Sequence, residues 1–226
     1  MSQQIMDSID SEIERGQAFL DARDYAQALP CFIESARLSK LVSQQAYIKQ
    51  MTIVANIHFE LKQIDECLEV YCTLFELFGE DQNVHAQARI LNNMGLINTR
   101  SGQYDDALDC YCRSRQLFEG LDDVYNIAEQ FENIGSVYRD KQDYVLGLKN
   151  YHDALKLFTM IDHKDKVADL HSDVAYITAM QGDKHQALQW YDAALDLYRE
   201  TDNQKKVLFV QQNVDRLRVL TGSFMA

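Results

Sequence analysis

Residues 95–117 read GLINTRSGQYDDALDCYCRSRQL, and this stretch decides the fold because it returns in register along the chain. Its signature positions are Gly95, Gln103, Tyr104, Ala107, Leu108, Tyr111 and Leu117. A shift of forty residues gives Gly135, Asp143, Tyr144, Gly147, Leu148, Tyr151 and Leu157, and forty more gives Ala175, Asp183, Lys184, Ala187, Leu188, Tyr191 and Leu197. Moving back by forty gives Ala55, Gln63, Ile64, Cys67, Leu68, Tyr71 and Leu77, and a further step of 39 gives Gly16, Asp24, Tyr25, Ala28, Leu29, Phe32 and Leu38. Self-similarity at such a period marks a repeat architecture, in which each unit buries its apolar face on its neighbours.

Each unit divides into two helical halves. In the first, apolar and small residues recur at helical spacing, as in Ala88, Leu91, Met94 and Gly95, the pattern of an amphipathic helix. A short polar break follows (Ala22-Arg23-Asp24, Ser101-Gly102-Gln103, Lys141-Gln142-Asp143, Gln181-Gly182-Asp183), and the second half then runs Tyr104, Ala107, Leu108, Tyr111, Leu117. Small residues of the first half (Gly16, Ala55, Gly95, Gly135, Ala175) face small residues of the second (Ala28, Cys67, Ala107, Gly147, Ala187). That pairing lets two antiparallel helices approach closely, and the aromatic column Phe32, Tyr71, Tyr111, Tyr151, Tyr191 fills the space beside them.

These small and aromatic columns extend over roughly residues 5 to 200 and resemble those of the tetratricopeptide repeat (TPR) family. The resemblance implies one domain over residues 1–226, an all-α, right-handed superhelical solenoid of antiparallel helix pairs. Its five units would run approximately 5–40, 41–79, 80–120, 121–160 and 161–200, with a C-terminal capping helix over 203–220. The usual unit is roughly 34 residues and its closing proline is absent here, so the helices or the connections must be longer. That length is similar to the repeats of kinesin light chains, the mitotic-spindle Gα-binding adaptor and bacterial peptide-pheromone receptors. The capping helix carries Leu208, Val214 and Leu217 on one face and is locally basic through Lys205, Lys206, Arg216 and Arg218, and the tail after it is expected to fray. Pro30 removes one backbone donor early in the second helix of the first unit, where it is expected to start or kink that helix.

Composition narrows the function. One proline and nine glycines in 226 residues leave few turn formers and favour long helices. Thirty-five acidic against 22 basic residues give a net charge of -13, which a phosphate backbone would repel, so nucleic acid is not an expected partner. The N-terminus MSQQIMDSIDSEIERG lacks the basic and apolar regions of a secretory signal. No apolar run reaches the roughly 18 residues of a membrane span, so no membrane partner is expected. Five cysteines (Cys31, Cys67, Cys72, Cys110, Cys112) are an odd number in a chain that is not small, against a disulfide framework. Cytoplasm is the expected location.

No phosphate loop, dinucleotide fingerprint, zincin or nucleophile-elbow motif is present, so neither an enzyme nor a cofactor is expected. Asp169, His171 and Asp173 lie two apart on a helix and point away from one another, and His171 falls in the apolar column of Leu91 and Phe131. Cys110 and Cys112, or Cys67 and Cys72, do not converge on a metal from helices, so no metal site is expected.

Helix pairs stacked with a constant small rotation form a concave groove lined by the first helices. One inner column reads Glu14, Ile53, Asn93, Asn133, Asp173, Asn213, with Asn92 beside it and Asn56 counted among the groove residues. The resemblance to long-repeat peptide binders implies that such asparagines hydrogen-bond the backbone of an extended peptide, since a carboxamide both donates and accepts; bridging neighbouring helices is the other reading. Lys49, Arg89, Arg100 and Arg139 form a basic set that either clamps acidic groups of a partner or pairs with Glu60, Glu129, Glu132 and Asp140. Tyr176, Ala179 and Met180, then Phe209, Val219 and Leu220, form an apolar set, suited to a ligand anchor, to homo-oligomer formation or to covering by the tail at Phe224. The expected function is a non-enzymatic adaptor that binds a peptide segment of a partner protein in the groove. The alternatives are a peptide-sensing regulatory receptor and a self-assembling scaffold.

Overall fold

The computed structural model describes residues 2–222, and the side chains of residues 3–219. These residues form eleven α-helices joined by short turns, with no strand among them. The chain gathers into two compact units, one up to Cys110 and one from Tyr111.

The first unit holds α1 (Ser2–Asp21), α2 (Tyr25–Ser39), α3 (Gln44–Glu60), α4 (Ile64–Glu80), α5 (Val84–Arg100) and the start of α6 (Tyr104–Glu119). Each helix from α1 to α4 packs on the next. Its core joins Ala28, Phe32, Val54, Ala55, Cys67, Tyr71 and Leu74, the small and aromatic columns of the repeat. The close approach is tight: a Cβ on Gly16 would lie 2.8 Å from Phe32 Cε2. Proline 30 neither starts nor interrupts its helix, since α2 begins at Tyr25, capped by Asp24, and runs through it.

The second unit holds the rest of α6, α7 (Val124–Asp140), α8 (Tyr144–Met160), α9 (Lys164–Met180), α10 (Lys184–Glu200) and α11 (Gln204–Gly222), and each helix from α7 to α11 packs on the next. One cluster joins Ala128, Tyr151, Ala154, Phe158, Leu170, Val174 and Ile177, and another joins Ala168, Ala175, Ala187, Tyr191, Tyr198, Val210 and Val214. Gly135 and Gly147 let α7 and α8 approach closely, and a Cβ on Gly135 would lie 3.2 Å from the Gly147 carbonyl oxygen.

The extra length of the repeat lies in the helices. From α3 on, most helices are 17 residues long and the connections are three residues, except for four between α6 and α7. Residues with positive φ stand at 62, 82, 102, 122, 142, 162, 182 and 202, one every twentieth position. Each donates its N–H to the carbonyl three back, and the next residue donates to the carbonyl five back, as in Gly102 to Thr99 (3.1 Å) and Gln103 to Asn98 (2.8 Å). This is a Schellman closure, and the residue that completes it stands as N-cap of the following helix. Asn83, Asp123, Asp143 and Asp183 each accept the backbone N–H three residues on.

Helix α11 stands in the register of a first helix but breaks the columns of the others. Leu208 occupies the position of the fully buried Ala88, Ala128 and Ala168 and is exposed. Asp215 occupies the position of the buried Ala55, Gly95, Gly135 and Ala175 and is also exposed. Val210, Val214 and Leu217 hold α11 onto α10. Leu220 and Phe224, assigned from sequence to the apolar patch and its cover, lie outside the described side chains.

Candidate functional site

All eleven residues expected to line the groove lie on first helices: Lys49 and Asn56 on α3, Arg89, Asn92, Asn93 and Arg100 on α5, Asn133 and Arg139 on α7, Tyr176 and Met180 on α9, and Phe209 on α11. The structure gathers some of them into two clefts and leaves others outside.

In the first unit a cleft of about 260 Å³ is lined by Thr52, Asn56 and Phe59 of α3, Tyr71 of α4, and Asn93, Leu96, Ile97 and Arg100 of α5. Arg100 stacks its guanidinium 5.9 Å from the Phe59 ring centroid. Tyr71 forms a buried wall, and burial pushes its hydroxyl up to about 12. Asn56 and Asn93 have no hydrogen-bond partner among the described residues, so both carboxamides are open to a ligand. Arg100 has no ion pair among the described residues, and neither do the exposed Arg89 and Lys49, which stand outside the cleft. Glu60, considered from sequence as a partner for this set, does not pair with it. Asn92 is half-buried and already engaged within the protein.

In the second unit a cleft of about 320 Å³ is lined by Arg139 and Asp140 of α7, Ser172, Asp173 and Tyr176 of α9, Tyr191 of α10, and Phe209 and Asn213 of α11. Met180 is exposed and does not line it, and the cleft is not the purely apolar surface expected, because Asp140 and Asp173 share it with the aromatic rings. The two clefts are the same place in the repeat, 120 residues apart: Thr52 matches Ser172, Asn56 matches Tyr176, Tyr71 matches Tyr191, and Asn93 matches Asn213.

Between α7 and α9 the corresponding place is filled by the protein itself. Arg139 donates to the Tyr151 hydroxyl (3.2 Å) and to Asp173 (3.2 Å), and its Nε donates to Asp140 (3.0 Å). Ser136 Oγ lies 3.1 Å from the same tyrosine hydroxyl. Arg139 therefore differs from the rest of the basic set, because its charge is consumed by its own neighbours. Asn133 is likewise engaged within the protein.

Glu129 and Glu132 do not pair with the basic set either. They hold Lys166 of α9, at 3.2 and 2.9 Å. One repeat on, Lys206 of α11 meets Asp169 at 2.5 Å, and Asp169 also accepts the Tyr198 hydroxyl. Lys166 sits 5.5 Å from the Phe158 centroid and Lys206 5.4 Å from that of Tyr198. Burial alone would lower the Lys166 ammonium, but Glu132 and Glu129 outweigh it and hold it above its ordinary value. Burial raises the Glu132 carboxyl against the pull of Lys166. Burial also raises the Asp173 carboxyl, to about 7, against Arg139 and with help from Glu132, Asp169 and Asp140. Sequence reasoning missed Lys166 and Lys206. Their signal was present, since an acid and a lysine 37 apart recur at 129/166 and 169/206.

Asp169, His171 and Asp173 diverge as expected, and His171 packs its ring 5.1 Å from Trp190, where burial lowers its basicity. None of the five cysteines forms a disulfide; Cys31, Cys67 and Cys110 are buried. Among the described residues no group of three or more His, Cys, Asp or Glu could hold a metal ion, and no helix is long and apolar enough to cross a membrane.

No curated protein sequence matches the chain. Among solved structures, apo RapI superposes with a TM-score of 0.71 at 16% identity, covering 96% of this chain and 77% of that one. BtubC (BKLC) from P. vanneervenii superposes with a TM-score of 0.68 at 15% identity, covering 89% and 92%. A Podosopora anserina structure of nearly identical TPR-like repeats of kinesin light chain type gives 0.65 at 7% identity, covering 85% and 96%. At these identities the likeness is one of fold. The tetratricopeptide repeat profile matches residues 48–120 and 126–200. Repeats of this kind generally mediate protein–protein interaction and are typically scaffolds rather than enzymes. With well over half its length matched, and with small and aromatic columns forming close-packed antiparallel helix pairs in both units, the chain belongs to the tetratricopeptide repeat family.

Proposed function

We propose that the protein is an adaptor that binds a peptide segment of a partner protein on the faces of its first helices. The observation that carries this reading is the recurrence of one cleft at the same register in each unit, with an unengaged asparagine, Asn93 or Asn213, beside a buried tyrosine. A carboxamide can donate to a peptide carbonyl and accept from a peptide N–H whatever the side chain. In the α3–α5 cleft, Asn56 and Asn93 hold backbone and Arg100 takes an acidic group, with Arg89 and Lys49 adding positive potential nearby. In the α9–α11 cleft, the rings of Tyr176 and Phe209 take a side chain. Five cysteines without a disulfide fit a reducing, cytoplasmic setting.

Selection of a displayed random-peptide library on the full chain tests this. Wild type is expected to enrich a peptide family that the Asn56→Ala/Asn93→Ala/Asn213→Ala variant binds at least tenfold more weakly while unfolding at the same temperature. Equal binding by that variant, or no enrichment by wild type, would refute the reading. Self-association is a second reading, favoured by the exposure of Leu208, Phe209 and Val219 on α11. Sedimentation velocity across a concentration series decides it, because a constant monomer removes it.

A further inference from the structure

The two equivalent clefts differ in charge, and the difference assigns a ligand chemistry to the second. The α3–α5 cleft is lined by one guanidinium and no carboxylate. The α9–α11 cleft is lined by two carboxylates, Asp140 and Asp173, and one guanidinium, Arg139, which is spent on both. At three positions in or beside the clefts the exchange favours a cation in the second, although Phe59 gives way to Ala179 and Leu96 to Arg216. Ile53 is replaced by Asp173, Asn56 by Tyr176 and Arg89 by Phe209. Each exchange removes a cation, adds an anion or adds an aromatic face.

We infer that the α9–α11 cleft is a receptor for a cationic side chain, an arginine or lysine of the partner segment, held between the rings of Tyr176 and Phe209 and against Asp173. The inference rests on the adaptor reading and names the side chain that this cleft selects. Three observations carry it. Tyr176 and Phe209 stand 46% and 64% exposed, so their faces are open to an incoming group, while Tyr191, 4% exposed, forms the floor. Aromatic faces attract cations, and the attraction grows as water is excluded. Arg139 reaches only Oδ1 of Asp173, which leaves Oδ2 without a hydrogen bond among the described residues and, once the carboxyl is ionised, able to accept from a second cation. An uncharged apolar side chain would desolvate this carboxylate without offering it a donor, at a cost. The net charge of -13 on the chain adds long-range attraction for a basic segment.

The test uses the full chain and three small probes followed by NMR: N-acetyl-arginine amide, its uncharged isostere N-acetyl-citrulline amide, and N-acetyl-norleucine amide. The arginine probe is expected to shift the Asn213 side-chain amide and the backbone of Ser172 and Tyr176 saturably. The citrulline probe should bind about fivefold more weakly or worse, and the norleucine probe should leave these signals unmoved. Phe209→Leu keeps an apolar side chain at an exposed site without a ring. It should weaken the arginine probe about threefold or more while leaving the fold intact, as judged by unchanged signals elsewhere. Citrulline or norleucine binding as tightly as arginine would overturn the cation assignment while leaving a side-chain pocket, and with it the adaptor reading, in place. Absence of shifts with the arginine probe would also overturn it. The adaptor reading itself stands or falls on the peptide selection, whose asparagine variant also removes both open carboxamides of the α3–α5 cleft.

Discussion

Replacing Gly135 by alanine adds a single methyl group where α7 packs tightly on Tyr151 of α8. The added Cβ would lie 2.6 Å from Cδ1 and 2.7 Å from Cε1 of Tyr151, and 3.2 Å from the Gly147 carbonyl oxygen. Carbon atoms in contact sit about 3.5–4.0 Å apart, so the ring must retreat by about 1 Å. Tyr151 has nowhere to go: it is fully buried, and its hydroxyl is fixed by Ser136 at 3.1 Å and Arg139 at 3.2 Å. Overpacking of this kind costs about 1–3 kcal/mol, and displacing the hydroxyl from its partners adds about 1 kcal/mol for each bond lost. Alanine returns about 1 kcal/mol through helix propensity. The net loss is about 2–3 kcal/mol, or about 5–10 °C in melting temperature for a chain of this size. Gly147→Ala is the control. Its Cβ would meet Ile177 Cδ1, the end of a flexible side chain, at 3.1 Å and backbone atoms at 3.4 Å. Propensity and a small repacking should leave it within about 1 kcal/mol of wild type. Urea unfolding followed by circular dichroism compares the two. If Gly135→Ala proves as stable as Gly147→Ala, the close-approach account of the helix pair is wrong.

Two further outcomes are expected. The raised Asp173 carboxyl means that the folded protein binds a proton there which the unfolded chain has released, so this group's contribution to stability falls as pH rises from about 4 to about 7 and stays lost above. Asp173→Asn should flatten that part of the pH–stability profile, and an unchanged slope would show that the carboxyl is not raised. In native labelling with a thiol reagent, the exposed Cys72 should react first, while the buried Cys67, whose thiol burial pushes up to about 11, should react only on unfolding. Equal rates would contradict the packing of α4 on α3.

The repeat columns were legible because they answer to one requirement, the close approach of two helices, which only small residues satisfy and which recurs in every unit. Gly135 against Tyr151 is that requirement in atoms. The break inside each unit was legible at 22–24, 101–103, 141–143 and 181–183, but whether the surplus length lay in helices or in connections was not. A turn residue with positive φ usually announces itself as glycine, and between units Gln82, Asp122, Asp162 and Asp202 hold the same conformation as Gly102 and Gly182 without that mark. The candidate site was half legible. Asn56, Asn93 and Arg100 line one cleft and Tyr176 and Phe209 the other, as side chains that share an inner register. Which cations stay available could not be read from one helix at a time, because the answer depends on the neighbouring first helix. Arg139 is consumed by Asp173 of α9, whereas Arg100 meets a ring.

Asp215 and Leu208 on α11 set a rule for lengthening the array. A helix docked on α11 in the manner of α10 on α9 would press its small residues onto a carboxylate at 215 and onto a branched side chain where alanine stands elsewhere. Two substitutions, Leu208→Ala and Asp215→Gly, would restore the columns, so that a grafted second helix could extend the stack by one more step. A helix added at this face would thus meet two side chains of a single helix, and those two positions are where an engineer would act.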